Sequence, residues 1–589
     1  MRKLLVKFLF WRIKHLSDRN FIILLAGIVG IFSGLAAVIL KQAVHAIHHF
    51  LISDFDYQYA NYLYFLYPLI GIFITVIISR YLLHENMGHG ITEILYDISK
   101  RFGRIRASKT FSRMLTSAFT VGFGGSVGLE APIVVTGSAI GSNIGQFVHL
   151  NYKQKTILIG SGAAGAIAGI FNSPVAGVIF AIEVMLADVT VAIFIPLLIA
   201  AVAGSLISIL LLGKDVLFTF QMTDSFTASD VPFYILLGLL TGLFSVYFTR
   251  VTYWMESKVK KVKSKYFRVL IGGLALGLII FVFPPIYGEG YETIKSLLNG
   301  DSLQVLDNSL FFSRFENTAF IVLFLAGVVL IKPVASAITI GSGGSGGIFA
   351  PSLFSGGILG FIFAVTANVF LGADLSVTNF VLVGMSGAMS GILHAPLTAI
   401  FLIAEITSGY TLFIPLMLVS AISFNAATYF EKYSLYTKHL IEKGHLIQHD
   451  KDRQVLSQIN LNKIIEFDLL TISPDAKLGD LVELVRKSKR NIFPVVNEED
   501  TFIGVITLDD IREIMFDPEL QQNIQINTLM GQAPAKVSPH ENMQSIMDKF
   551  ERTGAWNLPV VEDGKYVGFL SKSRIFNSYR KKLIRQNIQ

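Results

Sequence analysis

GFGGSVGLEAP at Gly122–Pro132 and GSGGSGGIFAP at Gly341–Pro351 are two versions of one eleven-residue stretch, identical at seven positions without a gap. The differences are as informative as the matches, since Glu130 of the first copy aligns with Phe349 of the second. A second pair follows, GAIAGIFNSPVAGVIFAIE (Gly165–Glu183) and GAMSGILHAPLTAIFLIAE (Gly387–Glu405), offset by 222 residues against 219 for the first. The apolar part of the chain is therefore a duplicated unit. Duplicated apolar segments broken by glycine and proline at corresponding positions point to a substrate site between the halves, built from helix ends near the middle of a bilayer.

The composition agrees. At 589 residues, 52% hydrophobic and 15% charged, the chain is too apolar for a soluble globular protein and reads as a multi-pass α-helical membrane protein. Residues 189–213, 333–373 and 375–404 carry no Asp, Glu, Lys or Arg, and each is long enough for a span that needs about 20 apolar residues. Glycines interrupt many of these stretches, so some helices are expected to stop partway, buried in protein or lining a wet cavity. Arg2, Lys3, Lys7, Arg12 and Lys14 surround apolar residues ahead of the run Phe21–Leu40. Residues 1–20 thus read as an amphipathic interfacial helix rather than a signal peptide, with the N-terminus cytoplasmic by the positive-inside tendency. The net charge of +7 suits such flanks and gives no argument for nucleic acid. With no cysteine, disulfides, thiolate catalysis and cysteine metal sites are excluded together.

Residues 21–445 form the expected membrane domain, with halves at about 21–213 and 231–445 and charged loops at Arg101–Lys109, Lys258–Lys265 and Asn299–Asn308. Beyond it the chain turns polar, and short β-rich runs alternate with amphipathic segments at Leu478–Ser488 and Glu541–Arg552. This indicates an α/β module. It also repeats: NIFPVVNEEDTFIGVITLDDI at Asn491–Ile511 corresponds to NLPVVEDGKYVGFLSKSRI at Asn557–Ile575, giving copies at 446–520 and 521–589. With an even number of crossings both termini are cytoplasmic, and the short loops and compact size suit a bacterial inner membrane.

In GLEAP, Pro132 can open a helix without losing a useful donor, because first-turn amides have no intrahelical partner. Those amides and the positive helix end make an anion site. Glu130, just before that helix, can hold the site as a tethered anion, and a tethered anion competing with a free one is a gate. GIFAP offers the amides of Ile348 and Phe349 without the carboxylate, a permanent cradle. The competing reading is helix packing alone, since Gly137, Gly141, Gly356 and Gly360 fit close helix contact. A carboxylate inside an apolar segment favours the ion pathway.

GHGIT at Gly88–Thr92, GLEAP at Gly128–Pro132, GIFAP at Gly347–Pro351 and SLYTKHL at Ser434–Leu440 agree in order and spacing with one family. By these motifs the chain resembles the CLC family of chloride channels and transporters over nearly its whole length, with a C-terminal pair of CBS domains. The resemblance implies the inverted-repeat CLC fold with broken helices, a cytoplasmic CBS pair, and a homodimer in which each subunit has its own anion pathway through the lipid bilayer. It makes Glu130 the gate, Ile348 and Phe349 amide donors to a central anion, and Tyr436 a hydroxyl donor. His89 stands where many members have serine. Either its imidazole donates to the anion, or it turns aside and an amide of Gly90 or Ile91 takes over. Around the outer site of Gly128, Leu129 and Ala131, Leu129 replaces the family's basic residue and Ala131 a glycine, which weakens the positive field.

Proton-exchanging members carry a second glutamate directly after the one in the segment FAIEVM. Here Glu183 is followed by Val184, and valine carries no proton. The expected function is a passive, gated chloride channel that acid opens by protonating a buried Glu130. The alternative is a chloride/proton antiporter with a non-standard internal proton donor. Glu183 and its repeat counterpart Glu405 read more simply as helix-end structural residues. An enzyme or divalent-cation transporter is not expected: the apolar region shows no metal-spaced His/Asp/Glu cluster and no nucleophile–base pair. No cofactor is required. An adenine nucleotide at the CBS pair is expected from Thr507 and Asp510 in GVITLDD, although Ser571 is followed by Arg574 where the second copy would need an acid. Dimerisation without a ligand is the competing role of that module.

Overall fold

The computed structural model describes residues 12, 14–53, 60–85, 88–186, 191–213, 226–301, 306, 317–407, 409–442, 456 and 459–588. Most of the expected N-terminal amphipathic helix lies outside the described residues. The chain divides into two compact units, Met1–Ile447 and Gln448–Gln589.

Among the described residues of the first unit, eight helices are long and apolar enough to cross a membrane. Shorter apolar helices lie between them, including Val377–Leu393 and Pro396–Ile406. The duplication read from the sequence is present as matched packing. The Glu130–Phe147 helix lies along Tyr152–Phe171, and its counterpart Phe349–Leu371 lies along Val377–Leu393. Each pair is held close by facing glycines. A Cβ on Gly137 would stand 2.2 Å from the Gly162 carbonyl oxygen, and one on Gly356 would stand 2.4 Å from that of Gly384. These contacts are repeat equivalents, so the small residues serve close helix packing in both halves.

The two central helices start earlier than the prolines suggest. Glu130 and Phe349 are their first residues, with Pro132 and Pro351 two positions in. Proline is tolerated throughout a first turn because the ring removes no hydrogen bond there. Consequently Glu130 belongs to the helix rather than preceding it.

In the second unit, β1 (Ile492–Val496) pairs antiparallel with β2 (Phe502–Thr507), and β3 (Asn557–Glu562) with β4 (Lys565–Ser571). Each hairpin has a bulge at the same place, after Val495 and after Val560. The copies keep separate cores, one around Leu478, Phe493 and Ile506 and the other around Phe550, Leu558 and Leu570. The expected amphipathic helices occur at Leu478–Lys487 and Met543–Thr553.

Candidate anion-binding site

The two eleven-residue copies meet back to back. Gly128 N–H donates to the Gly347 carbonyl and Gly347 N–H to that of Gly128, both at 2.8 Å, a single antiparallel bridge from which the two central helices set out. Glu130 is 1% exposed. Its Oε1 accepts the Tyr291 hydroxyl at 2.7 Å, and the amides of Glu130 itself and of Ala350 face the carboxylate. Ala350 is the second residue of the other half's helix, so the carboxylate stands at that helix's positive end, where an anion is stabilised. Oε2 is buried with no donor in hydrogen-bonding geometry among the described residues. A methyl group on Gly128 would lie 2.0 Å from that oxygen; only glycine fits beside the carboxylate.

A segment outside the repeated motifs holds Glu130 in place. Glu289 Oε1 accepts the Leu129 amide at 3.2 Å, and Glu289 and Glu130 lie in each other's field. The Ile286–Tyr291 loop is fastened in turn by Lys332, fully buried, whose Nζ donates to the carbonyls of Ile286 at 3.2 Å and Gly288 at 3.1 Å and sits 4.6 Å from the Phe354 ring centroid. A lone lysine between long apolar runs was the available signal for Lys332. Glu289, in a turn, and Tyr291, at the start of the Tyr291–Leu298 helix, gave none, being far from the motifs.

Tyr436 is 2% exposed, and its hydroxyl has no hydrogen-bond partner among the described residues. It is close enough to Glu130 for the carboxylate charge to act on it. Its carbonyl accepts the Thr92 hydroxyl at 2.9 Å, joining the Gly90–Lys100 helix to Leu435–Glu442. The Phe349 ring packs 5.3 Å from Phe171 and 6.3 Å from Phe180, which interlocks the halves. With Gly347 N–H spent on Gly128, the first-turn amides of the Phe349–Leu371 helix left without an intrahelical partner include those of Ile348 and Phe349.

His89 is turned aside. Its Nε2 lies 2.9 Å from Glu256 Oε1 and 3.0 Å from Oε2, and its ring stacks on His439 with centroids 4.4 Å apart. The imidazole is therefore engaged by a carboxylate in this conformation, and the amides of Gly90 and Ile91 at the helix start remain for an anion. Arg113 fixes this loop by donating to the Gly88 carbonyl at 3.3 Å and to Glu93 Oε1 at 2.6 Å. At the outer position, the Gly128 and Leu129 amides are committed to Gly347 and Glu289, because the bridge between repeats needs the first and the loop carboxylate claims the second. Ala131 packs against Gly347.

Val184 is partly buried against the apolar core. Glu183 accepts the amides of Leu397 at 3.1 Å and Thr398 at 2.8 Å and the Thr398 hydroxyl at 2.7 Å, which caps the Pro396–Ile406 helix. Reciprocally, Glu405 accepts the amides of Val175 at 3.0 Å and Ala176 at 2.8 Å and caps Pro174–Phe180. Each half thus closes a helix of the other with its own carboxylate. Glu183→Ala is expected to cost about 3 kcal/mol by stranding these amides, with Glu183→Gln about half as damaging. Thermal unfolding midpoints in detergent check the ranking.

In the second unit, Asp510 Oδ2 accepts both the amide and the hydroxyl of Thr507, each at 2.7 Å. The two residues expected at a nucleotide cap the Leu508–Ile511 helix together. Between the two copies, the buried Glu466 of the first takes the Ser571 hydroxyl of the second at 2.8 Å on Oε1 and pairs with Arg490 at 2.7 Å on Oε2. Arg490 also donates to Asp468 at 2.9 Å, and this hydrogen bond holds the Asp468 carboxyl below its ordinary range. Arg490→Ala is expected to destabilise the unit by on the order of 2 kcal/mol, since Glu466 loses a charged donor while half-exposed surroundings moderate the loss. The expected observation is an earlier unfolding transition of the unit with the membrane unit's transition unmoved.

Comparison with known proteins places these features. The model of the family described as Voltage gated chloride channel matches residues 70–428, and the CBS domain model matches 462–517 and 526–581. The chain is 24% identical over 565 residues to Chloride channel protein CLC-f of Arabidopsis thaliana, covering 84% of this chain and 69% of that one. It is 29% identical over 422 residues to the H(+)/Cl(-) exchange transporter ClcA of Vibrio cholerae, covering 68% and 84%. The crystal structure of a slow cyanobacterial Cl-/H+ antiporter has the same fold, with a TM-score of 0.61 at 22% identity over 74% of this chain and all of that one.

Proposed function

Since the chain belongs to the voltage gated chloride channel family and carries two CBS domains, we propose that it is a passive, gated chloride channel with Glu130 as its gate. The observation that carries this reading is the pairing of a buried Tyr436 hydroxyl that has no hydrogen-bond partner among the described residues with a Glu130 carboxylate lodged at the helix end of the opposite half. A buried hydroxyl left unpaired costs about 1–3 kcal/mol, and a dehydrated anion beside it supplies the acceptor. The carboxylate and the anion compete for the same positive end.

Passive conduction is supported by Val184, which has no proton to give, and by Glu183, whose three donors tie it to a helix end. Transport needs no catalytic group and no cofactor. The CBS pair acts as a regulatory or dimerisation module, with an adenine nucleotide as the ligand its family favours. Thr507 and Asp510 would have to part to receive it. We further propose a homodimer in a cell membrane, of bacterial inner-membrane type, with both termini cytoplasmic.

One second reading has an observation behind it. Relatives such as the Vibrio cholerae protein are named proton/chloride exchangers, and the buried Glu256 beside His89 is a titratable group away from Glu130 that could replace the missing internal donor. Purified protein in liposomes, with chloride efflux and external pH recorded together, separates the two. Chloride flux without uphill proton movement is the expected result; a chloride gradient that drives protons uphill overturns the channel reading in favour of exchange.

A further inference from the structure

His89, Glu256 and His439 are widely separated in the sequence, and for that reason no metal-ligand spacing shows in the apolar region. The fold nevertheless brings one donor atom of each within 4.8 Å of the others. His89 Nε2 is 2.9 Å from Glu256 Oε1 and His439 Nε2 is 3.8 Å from Glu256 Oε2. Ligands of a tetrahedral zinc ion at about 2.0–2.1 Å are roughly 3.3 Å apart, so donors gathered within 4.8 Å need side-chain shifts of up to about 1.5 Å to seat one. The carboxylate is 1% exposed, and its Oε1 has no hydrogen-bond partner in proper geometry despite the imidazole beside it.

We propose that these three side chains form a binding site for a divalent transition cation of the zinc class. Two imidazoles and one carboxylate are a donor set that such ions favour over magnesium or calcium, which require oxygen ligands. At present Lys260 Nζ occupies the carboxylate, 2.9 Å from Oε2, from a side chain that is 49% exposed. It is an ammonium standing where the incoming cation would act, and its half-exposed side chain marks the route from solvent. Three protein ligands leave one tetrahedral position open. His89 directly precedes the amides of Gly90 and Ile91, and His439 lies one helical turn from Tyr436, so that open position adjoins the anion path. A bound dication there holds chloride as its fourth ligand and slows flux. Cation binding does not depend on the channel reading; only the effect on flux rests on it.

Cobalt(II) titration of the purified full-length protein tests the site without any transport measurement. The expected result is one equivalent of cobalt per chain with the strong visible absorption of tetrahedral coordination, displaced by zinc. His439→Ala and Glu256→Gln should weaken zinc binding by about tenfold or more. Lys260→Met, which removes the competing ammonium, should tighten it severalfold, an effect that a purely structural ion pair does not produce. Unchanged affinity in both ligand variants, or weaker binding in Lys260→Met, overturns the proposal, as does the absence of stoichiometric cobalt binding. In liposomes, micromolar zinc should inhibit chloride efflux of the unmodified protein and spare His439→Ala. Equal inhibition of both refutes the assignment of the block to this site. Efflux with no zinc response, in a protein that binds cobalt as described, refutes the placement on the anion path and leaves the channel reading intact.

Discussion

Glu130→Gln is expected to raise chloride efflux from proteoliposomes at neutral pH by about tenfold and to flatten its response to acid. The proposed gate rests on competition. The carboxylate is held by the Tyr291 hydroxyl at 2.7 Å and by the positive end of the Phe349–Leu371 helix, while its second oxygen finds no donor. It is thus bound well enough to exclude an anion and poorly enough to be displaced. Glutamine preserves shape and the Tyr291 contact but removes the charge that the helix end stabilises, leaving that field to chloride. Tenfold in occupancy corresponds to about 1.4 kcal/mol, within what a helix end contributes in a partly buried setting. Acid does the same thing to the unmodified protein by protonating the carboxylate, so flux should climb as pH falls and the variant should have no such climb. A variant with the pH profile of the parent removes Glu130 from the gate.

Gly128→Ala is expected to reach the same open state by steric means. The added methyl group would lie 2.0 Å from Glu130 Oε2 and 2.8 Å from the Ala350 Cβ. The carboxylate is the end of a flexible side chain and moves first; the Ala350 Cβ is fixed to its backbone, so the bridge must also open by a few tenths of an ångström. Flux at neutral pH should therefore rise severalfold, and the double variant Gly128→Ala/Glu130→Gln should gain little over Glu130→Gln alone, because residues in contact share one effect and do not add. Fully additive gains in the double variant, with both proteins eluting as the parent does on size exclusion, would show that Gly128 acts somewhere other than on the carboxylate.

Much of this site was legible because duplication writes itself into sequence. Copies offset by 219 and 222 residues identify helix ends that must meet, and one copy with an acid against one without marks the ionisable member. The reading of Glu183 and Glu405 as helix-end residues came from the same symmetry, and the reciprocal capping of Pro396–Ile406 and Pro174–Phe180 is its physical form. Local chemistry likewise predicted the strand pairs of the C-terminal copies, because hairpins are set by neighbours in sequence.

What lay beyond the motifs was not legible. Lys332, Glu289 and Tyr291 hold the gate from a loop and a helix that no repeat marks, and whether His89 faces an anion or a carboxylate depends on Glu256, 167 residues away. The sequence by itself determined the duplicated membrane architecture, the one acid in the paired motifs and the absence of an acid at Val184, since each follows from residue type and from spacing within a repeat. Only the tertiary structure decided which donors are spent and which are left over: the Gly128 and Leu129 amides are consumed, the Tyr436 hydroxyl is not, and two histidines gather on one glutamate. Hydrogen-bond partners are assigned by distance in space, and three residues without a shared period carry no trace in the chain of the place where they will meet.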